Sequence, residues 1–248
     1  MWGGQWDVRR FDEIASTNTY LSQVARQGAP EGVVAVADHQ TAGRGRLDRH
    51  WEAPAGSSLL MSVLFRPELE PAHLHLCTAA LALAAADACA EVAQVRPGIK
   101  WPNDLVVGEA KLAGILAEAE FAGDALSSVV VGIGVNVGWP GPPGLGGTCL
   151  DDVGGLAQPV DREVLLAALL SALLPRRALL DDAPGRAALA DELRQRCITL
   201  GQDVRIDLAS GSMVGRATDI DSAGHLVVET GEGSCTVTAG DVVHLRPR

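Results

Sequence analysis

Lysine is almost missing from this chain of 248 residues: Lys100 and Lys111 stand against 18 arginines. Arginine therefore carries the general positive charge. A retained lysine points to a task that a planar guanidinium does badly, such as following a moving phosphate or carboxylate as a point charge. Codon bias is the competing explanation. Positive charge is short overall, with a formal net charge of −11. That argues against a nucleic-acid-binding face as the main business, because phosphate neutralisation needs a basic surface. The five cysteines (77, 89, 149, 197 and 235) contain no C-x-x-C pair and are odd in number. A disulfide framework is disfavoured, and reduced thiols in the cytoplasm fit better. The start, Met1-Trp2-Gly3-Gly4-Gln5-Trp6-Asp7, lacks a basic stretch followed by an apolar run, so no signal peptide is expected. The most apolar stretch, Leu74 to Val92, is interrupted by His75, Asp87 and Glu91 and reads as a buried helix rather than a membrane span. There is no internal repeat and no low-complexity segment.

What is present is a chain able to build a core. Apolar residues make up 47%, and the length suits one large domain with a small appendix. Trp6 to Phe11 reads as a strand, and Ser16 is a good N-cap for a helix with Tyr20, Leu21, Val24 and Ala25 on its apolar side. Strands are expected at 33–37, 59–65 and 127–137. Another pair, at 105–107 and 112–120, flanks a Gly108-Glu109 hairpin turn. Helices are expected at 72–93, from Asp161 to an end or kink at Pro175, and at 186–196. Residues 41–49 show no periodicity and predict a mobile loop. Trp139 to Gly147, with three prolines and four glycines, predicts a flexible connection. After Gly201, four strand candidates (204–208, 213–218, 225–229 and 234–243) at spacings of about ten residues predict a small β-barrel.

Gly43-Arg44-Gly45-Arg46 with Arg49 places three guanidiniums within six residues, where glycine backbone and arginine forks can converge on an anion. It is not a Walker A loop, and a solvated basic loop is the alternative. In Gly132-Ile133-Gly134-Val135-Asn136, two glycines and an amide share one strand face, which suits a flat ligand lying against the backbone, or a strand bent by glycine. The dinucleotide-binding G-x-G-x-x-G reading fails, because Val137 stands where that pattern would continue and no helix follows. Trp101-Pro102-Asn103-Asp104 supplies a turn ending in an amide and a carboxylate, with Lys111 across the hairpin and Gly114 beyond it. That carboxylate could position the ammonium, bind a metal or accept a proton from an amine; a surface ion pair is the plain alternative. His73, His75 and Cys77 do not form a convincing metal set on a helix. Ser58 and Ser62 lack a nucleophile-elbow context.

Taken together these motifs resemble the biotin protein ligases. Ser16-Thr17-Asn18, Gln40 ahead of Gly43 to Arg46, then Arg49 and Trp51, Lys100 to Leu105, Lys111 to Leu116, and Gly132 to Asn136 follow the family's pattern in order. The resemblance implies an α/β (α+β) catalytic domain over residues 1–198, its mixed sheet flanked by helices as in class II aminoacyl-tRNA synthetases. It implies an SH3-like C-terminal domain over residues 199–248. It also implies activation of biotin by ATP as biotinyl-5′-AMP, then transfer to one lysine of a carboxylase's biotin carboxyl carrier domain. Catalysis is then mainly positioning and charge neutralisation.

By the same resemblance Lys111, Arg46 and Asp104 are catalytic, with Asp104 orienting or deprotonating the acceptor amine. Ser16, Thr17, Asn18, Gln40, Gly43, Arg44, Gly45, Arg46, Trp51, Lys111, Gly114 and Gly132 meet biotin. Arg46, Arg49, Asn103, Lys111 and Asn136 meet ATP, and Mg2+ arrives with the nucleotide rather than on a protein site. The implied enzyme is cytoplasmic, a monomer or weak homodimer, with no nucleic-acid or membrane partner and no N-terminal DNA-binding domain. One departure stands out: Leu47-Asp48 precedes Arg49 where many relatives have a glycine, so Asp48 is expected to stiffen the loop or alter adenylate retention. The rival is a lipoate ligase, whose Arg-Arg-x-x-Gly-Gly-Gly loop is absent. A non-enzymatic biotin sensor would not require Lys111, Arg46 and Asp104 together.

Overall fold

A parallel strand pair opens the structure, a computed structural model in which residues 6–47, 49–208, 211–238 and 240–245 are described. Strand β1 (Asp7–Ile14) runs beside β2 (Val33–Gln40). Parallel neighbours need a crossover, and α1 (Thr17–Arg26) supplies it. Leu21 and Ala25 of this helix are buried against Val33, Ala35, Leu64 and Val130, a small core on one face of the sheet. Strand β3 (Ser58–Phe65) is buried along its whole length, Ser58 and Ser62 included, as a strand covered on both faces is.

The other face carries α2 (His75–Ala93), preceded by a 3-10 turn at Pro71–His73 and ended by Gln94 in a left-handed conformation. Its apolar residues lie all round the axis, so it needs cover on every side. It gets that cover from the sheet, from α4 (Arg162–Ala178) and from α5 (Ala183–Arg196). The length and composition that would let it cross a bilayer are those of a core helix here. The sheet is completed by β4 (Gly98–Lys100), β5 (Asp104–Val107), β6 (Ala110–Ala122) and β7 (Ala125–Asn136), in the order β1-β2-β3-β7-β6-β5-β4. All neighbours except β1 and β2 are antiparallel, so the sheet is mixed as expected.

Two elements escaped the sequence: β4, of three residues, and the single turn α3 (Leu150–Val153). Pro175 does not end α4; the helix runs on to Ala178. The proline falls in the last turn, where the next residues tie the helix down. Arg176 reaches Asp87 on α2 (2.6 Å) and Glu192 on α5, and Arg177 reaches Glu31 and Asp181.

After Cys197 the chain builds a second, antiparallel sheet from β8 (Asp203–Leu208), β9 (Gly211–Ile220), β10 (Leu226–Thr230), β11 (Gly233–Val237) and β12 (Asp241–His244). Its order is β11-β10-β9-β8-β12. The single strand expected over 234–243 is therefore two strands on opposite edges. β11 closes a hairpin on β10, and the chain then crosses to pair Asp241 with Asp207 on β8. The indole of buried Trp101 joins the two sheets, donating to Gly224 O at 3.0 Å, while its backbone N–H donates to Thr199 Oγ1 at 3.1 Å.

Candidate functional site

The start of α1 forms a polar floor. Ser16 caps the helix by accepting from the Thr19 N–H at 3.4 Å. Thr17 and Asn18 then point into the protein and are buried. Both the N–H and the hydroxyl of Thr17 donate to Gln40 Oε1, at 2.8 and 3.1 Å. Ser62 of β3 lies 2.7 Å from the Thr17 hydroxyl and 2.5 Å from Asn18 Oδ1. The Asn18 amide donates to Leu116 O (3.2 Å) and Glu118 Oε2 (2.8 Å). These two acceptors fix which way the amide points.

The glycine strand makes room for this floor. A Cβ at residue 132 would collide with Asn18 Oδ1, and one at 134 would collide with the Trp51 indole. The face expected to lie bare for a flat ligand is thus partly filled by Asn18 and Trp51, although Gly132, Gly134 and Asn136 still line the cavity. Trp51 Nε1 is a buried donor that finds no acceptor among the described residues. Asn136 gives its amide to backbone carbonyls, those of Thr148 (3.0 Å), Pro140 (3.3 Å) and Lys111 (3.5 Å). It thereby pins the segment 139–147. Expected to be a flexible connection, that segment is docked along β6 by hydrogen bonds from the Lys111 N–H to Gly146 O and from the Thr148 N–H to Lys111 O. Pro140, Gly141, Pro142 and Leu145 form one wall.

The charged wall comes from the β5–β6 hairpin. Gly108, at φ +59°, makes the turn, and a register shift after Leu105 sets Asp104 opposite Gly114 and Val106 opposite Lys111. Such an irregularity re-aims side chains. Lys111 Nζ comes within 2.7 Å of Asp104 Oδ1, an ion-pair contact off the hydrogen-bond direction, since that buried oxygen accepts no hydrogen bond among the described residues. The ammonium also sits 5.6 Å from the Trp51 ring centre. Gly114 keeps the space open: a Cβ there would lie 2.9 Å from the indole and 3.1 Å from Lys111 Nζ.

The glycine–arginine segment folds back on itself. Gly45 N–H donates to Arg49 O at 2.7 Å, Trp51 N–H donates to Gly43 O at 3.0 Å, and Arg44 bridges to His50. Each guanidinium has a partner. Arg44 donates to Glu118 Oε2 at 2.5 Å; Arg46 donates to Asn103 Oδ1 (3.0 Å) and Gly240 O (3.1 Å); Arg49 is paired with Asp241. Burial pushes Arg46 below the ordinary guanidinium range, against the opposing pull of Asp241 and Asp104. Asn103 is held in turn by its amide, which donates to Ile115 O at 2.7 Å.

These parts enclose one cavity of about 630 Å³, a size typical of small-molecule sites. Ser16, Thr17, Asn18, Gln40, Arg44, Gly45, Arg46, Arg49, Trp51, Asn103, Asp104, Lys111, Gly114, Gly132 and Asn136 all line it. Gly43 does not; it is packed against the Trp51 carbonyl, where a Cβ would clash. Lys100, on β4, also stays outside, so the lysine argument narrows to Lys111. Asp48 lies outside the described residues. A larger cavity of about 880 Å³ lies behind the loop and shares its arginines, but touches none of Thr17, Trp51, Asp104 or Lys111. Among the described residues no group of three His, Cys, Asp or Glu side chains could hold a metal ion.

Sequence reasoning missed Glu118 and Asp241. Glu118 could have been found, because it continues the Gly114, Leu116 alternation on β6. Asp241 could not: it reaches the cavity from the second sheet, 130 residues beyond Lys111 in the chain.

Known proteins resemble this chain in sequence and fold. Residues 11–136 match the family described as the biotin/lipoate A/B protein ligase family, and residues 199–245 match the biotin protein ligase C terminal domain. The biotin–[acetyl-CoA-carboxylase] ligase of Mycobacterium tuberculosis is 40% identical, the match covering 98% of this chain and 91% of that one. The bifunctional ligase/repressor BirA of Bacillus subtilis is 30% identical over 93% of this chain and 72% of its own length. Among solved structures, the biotin protein ligase of Aquifex aeolicus in complex with biotin and ATP superposes with a TM-score of 0.80 at 26% identity, covering 97% of this chain and 99% of that one.

Proposed function

The chain belongs to the biotin protein ligases of the biotin/lipoate A/B protein ligase family, and from that premise we propose the chemistry its cavity performs. The enzyme ligates biotin at the expense of ATP. In the proposed first half-reaction a biotin carboxylate oxygen attacks the α-phosphorus of ATP, the bond from that phosphorus to the bridging oxygen breaks, and pyrophosphate leaves with its Mg2+. In the second, the ε-amine of a lysine on a biotin carboxyl carrier domain attacks the acyl carbon of biotinyl-5′-AMP. AMP departs and the amine loses a proton.

The observation that carries this reading is the meeting of Lys111 with Asp104 at 2.7 Å, under Trp51, in a cavity that Arg46 and Arg49 also line. Lys111 holds the biotin carboxylate beside the α-phosphate, and the two arginines neutralise the phosphates, so charge that builds in the transition state meets cations already in place. Thr17, Asn18 and Gln40, with Ser16 at the helix start, receive the ureido end of biotin, and Trp51 covers its apolar part. Asn103 and Asn136 flank the nucleotide side. Asp104, once the ammonium of Lys111 is engaged by the carboxylate, is free to orient the incoming amine and take its proton. We take the catalytic unit as residues 1–198 and the C-terminal unit as 199–248, a division that falls in the connection between α5, ending at Arg196, and β8, beginning at Asp203. A cytoplasmic location, where ATP is plentiful, is part of this proposal.

The test is transfer. Enzyme, biotin, Mg·ATP and an isolated carrier domain should add one biotinyl group to one lysine of the carrier, read by mass spectrometry. Lipoate or octanoate appearing on the carrier instead would overturn the substrate, and biotin retained on the enzyme with no ATP consumed would point to a sensor.

A further inference from the structure

Asp241 is an anion in the wall of an anion-binding cavity. It stands at the start of β12, in the second sheet, and lines the same cavity as Lys111 and Asp104. Its carboxylate is paired with Arg49 and lies 3.8 Å from Arg46, and the neighbouring Gly240 carbonyl accepts from Arg46 at 3.1 Å. The two guanidiniums given the phosphates in the ligase reading thus both face one carboxylate from the second sheet. A negative side chain at that place opposes ATP unless it has a task of its own.

We propose that Asp241 is a positioning residue, a resident counter-anion that keeps Arg46 and Arg49 turned into the cavity until the triphosphate replaces it. This rests on the ligase reading above. Arg46 keeps its second anchor, Asn103 on the catalytic domain, at 3.0 Å, so it moves little when Asp241 lets go. Arg49 is mostly exposed and has no such second anchor among its described hydrogen bonds, so it moves more. The clasp therefore joins the C-terminal sheet to the glycine–arginine loop only while the phosphate subsite is empty, and ATP binding trades an internal ion pair for one with substrate.

Asp241→Asn keeps the shape and an acceptor oxygen while removing the charge. Two readouts separate positioning from simple structural support. In the ligand-free protein, limited proteolysis within residues 43–50 should run about two- to five-fold faster in the variant, the range set by a partly exposed ion pair. With biotin and Mg·ATP present, both proteins should be equally protected. In biotin-dependent pyrophosphate exchange, the KM for ATP should fall by a similar factor while the KM for biotin stays the same, because only the phosphates compete with Asp241. Unchanged cleavage of the free loop, or a KM for ATP that rises together with that for biotin, overturns the proposal. The proteolysis uses no substrate, so a failed clasp is distinguishable from a failed ligase reading, which wild-type enzyme without exchange activity would reveal. Should Asp241→Asn fold poorly, Arg49→Gln tests the same pair: its free loop should also be cut faster, and an unchanged rate there overturns the clasp equally.

Discussion

Single side chains decide this site because so many of its contacts depend on missing ones. Gly132 lets Asn18 stand under the strand, and Gly134 lets Trp51 lie against it. Gly132→Ala should therefore push Asn18 off its contacts with Ser62 and Glu118 and raise the KM for biotin about ten-fold or more, the usual consequence of overfilling a packed site. Gly231→Ala, in an exposed turn of the second sheet where a Cβ meets nothing and φ is not left-handed, is the control for a glycine-to-alanine change as such. A KM for biotin that moves equally in both variants would contradict the proposed place of the ureido ring. Most of the cavity-lining residues singled out in the sequence could be found there because each belongs to a short motif whose members are close in the chain. Glu118 sits just outside a motif. Gly43 sits within one yet turns its back on the cavity, because a turn glycine can serve the backbone alone.

The elements form for ordinary reasons, and their errors have physical causes. Strongly patterned segments came out close to expectation: the β3 run, the β5–β6 turn at Gly108, and α1 behind Ser16. Local signals failed where distant partners decide. Arg176 and Arg177, fastened to α2, α5 and the segment before β2, accompany the extra turn that carries α4 beyond Pro175. The strand over 234–243 splits because two separate sheet edges compete for its halves. The start of α4 tests whether caps here matter for stability alone. Asp161 accepts from the Glu163 and Val164 N–H groups at 2.8 and 3.4 Å and does not line the cavity. Asp161→Ala should cost about 0.5–2 kcal/mol in denaturant unfolding and leave turnover unchanged. A large loss of activity at full folding would contradict that separation.

At the scale of the whole molecule, the two sheets meet around Trp101, and the junction should be sensitive to acid. His75 packs against Trp101, the rings tilted by 35° with their centres 5.4 Å apart. Burial pushes its imidazole down from 6.5 to about 3, helped by His225 and Arg46 and opposed by Asp221. The unfolded chain binds a proton that the folded protein refuses until about pH 3, so stability should fall steadily as pH drops from 6.5 towards that value. His75→Gln should flatten that slope in urea unfolding across the window, whatever its effect at pH 7, and equal slopes would place the acid sensitivity elsewhere. Such a junction was invisible in sequence, since Trp101 and Gly224 are far apart in the chain and only the assembled sheets bring them together. The family, by contrast, was legible from ordered motifs alone. The central claim is that Lys111 holds biotin's carboxylate against the α-phosphate, and the most direct measurement is biotin-dependent exchange of labelled pyrophosphate into ATP, wild type beside Lys111→Arg. The account predicts exchange with biotin and not with lipoate or octanoate, falling about 100-fold or more in the variant at unchanged thermal stability. Exchange driven by lipoate, or near-normal exchange by Lys111→Arg, would contradict it.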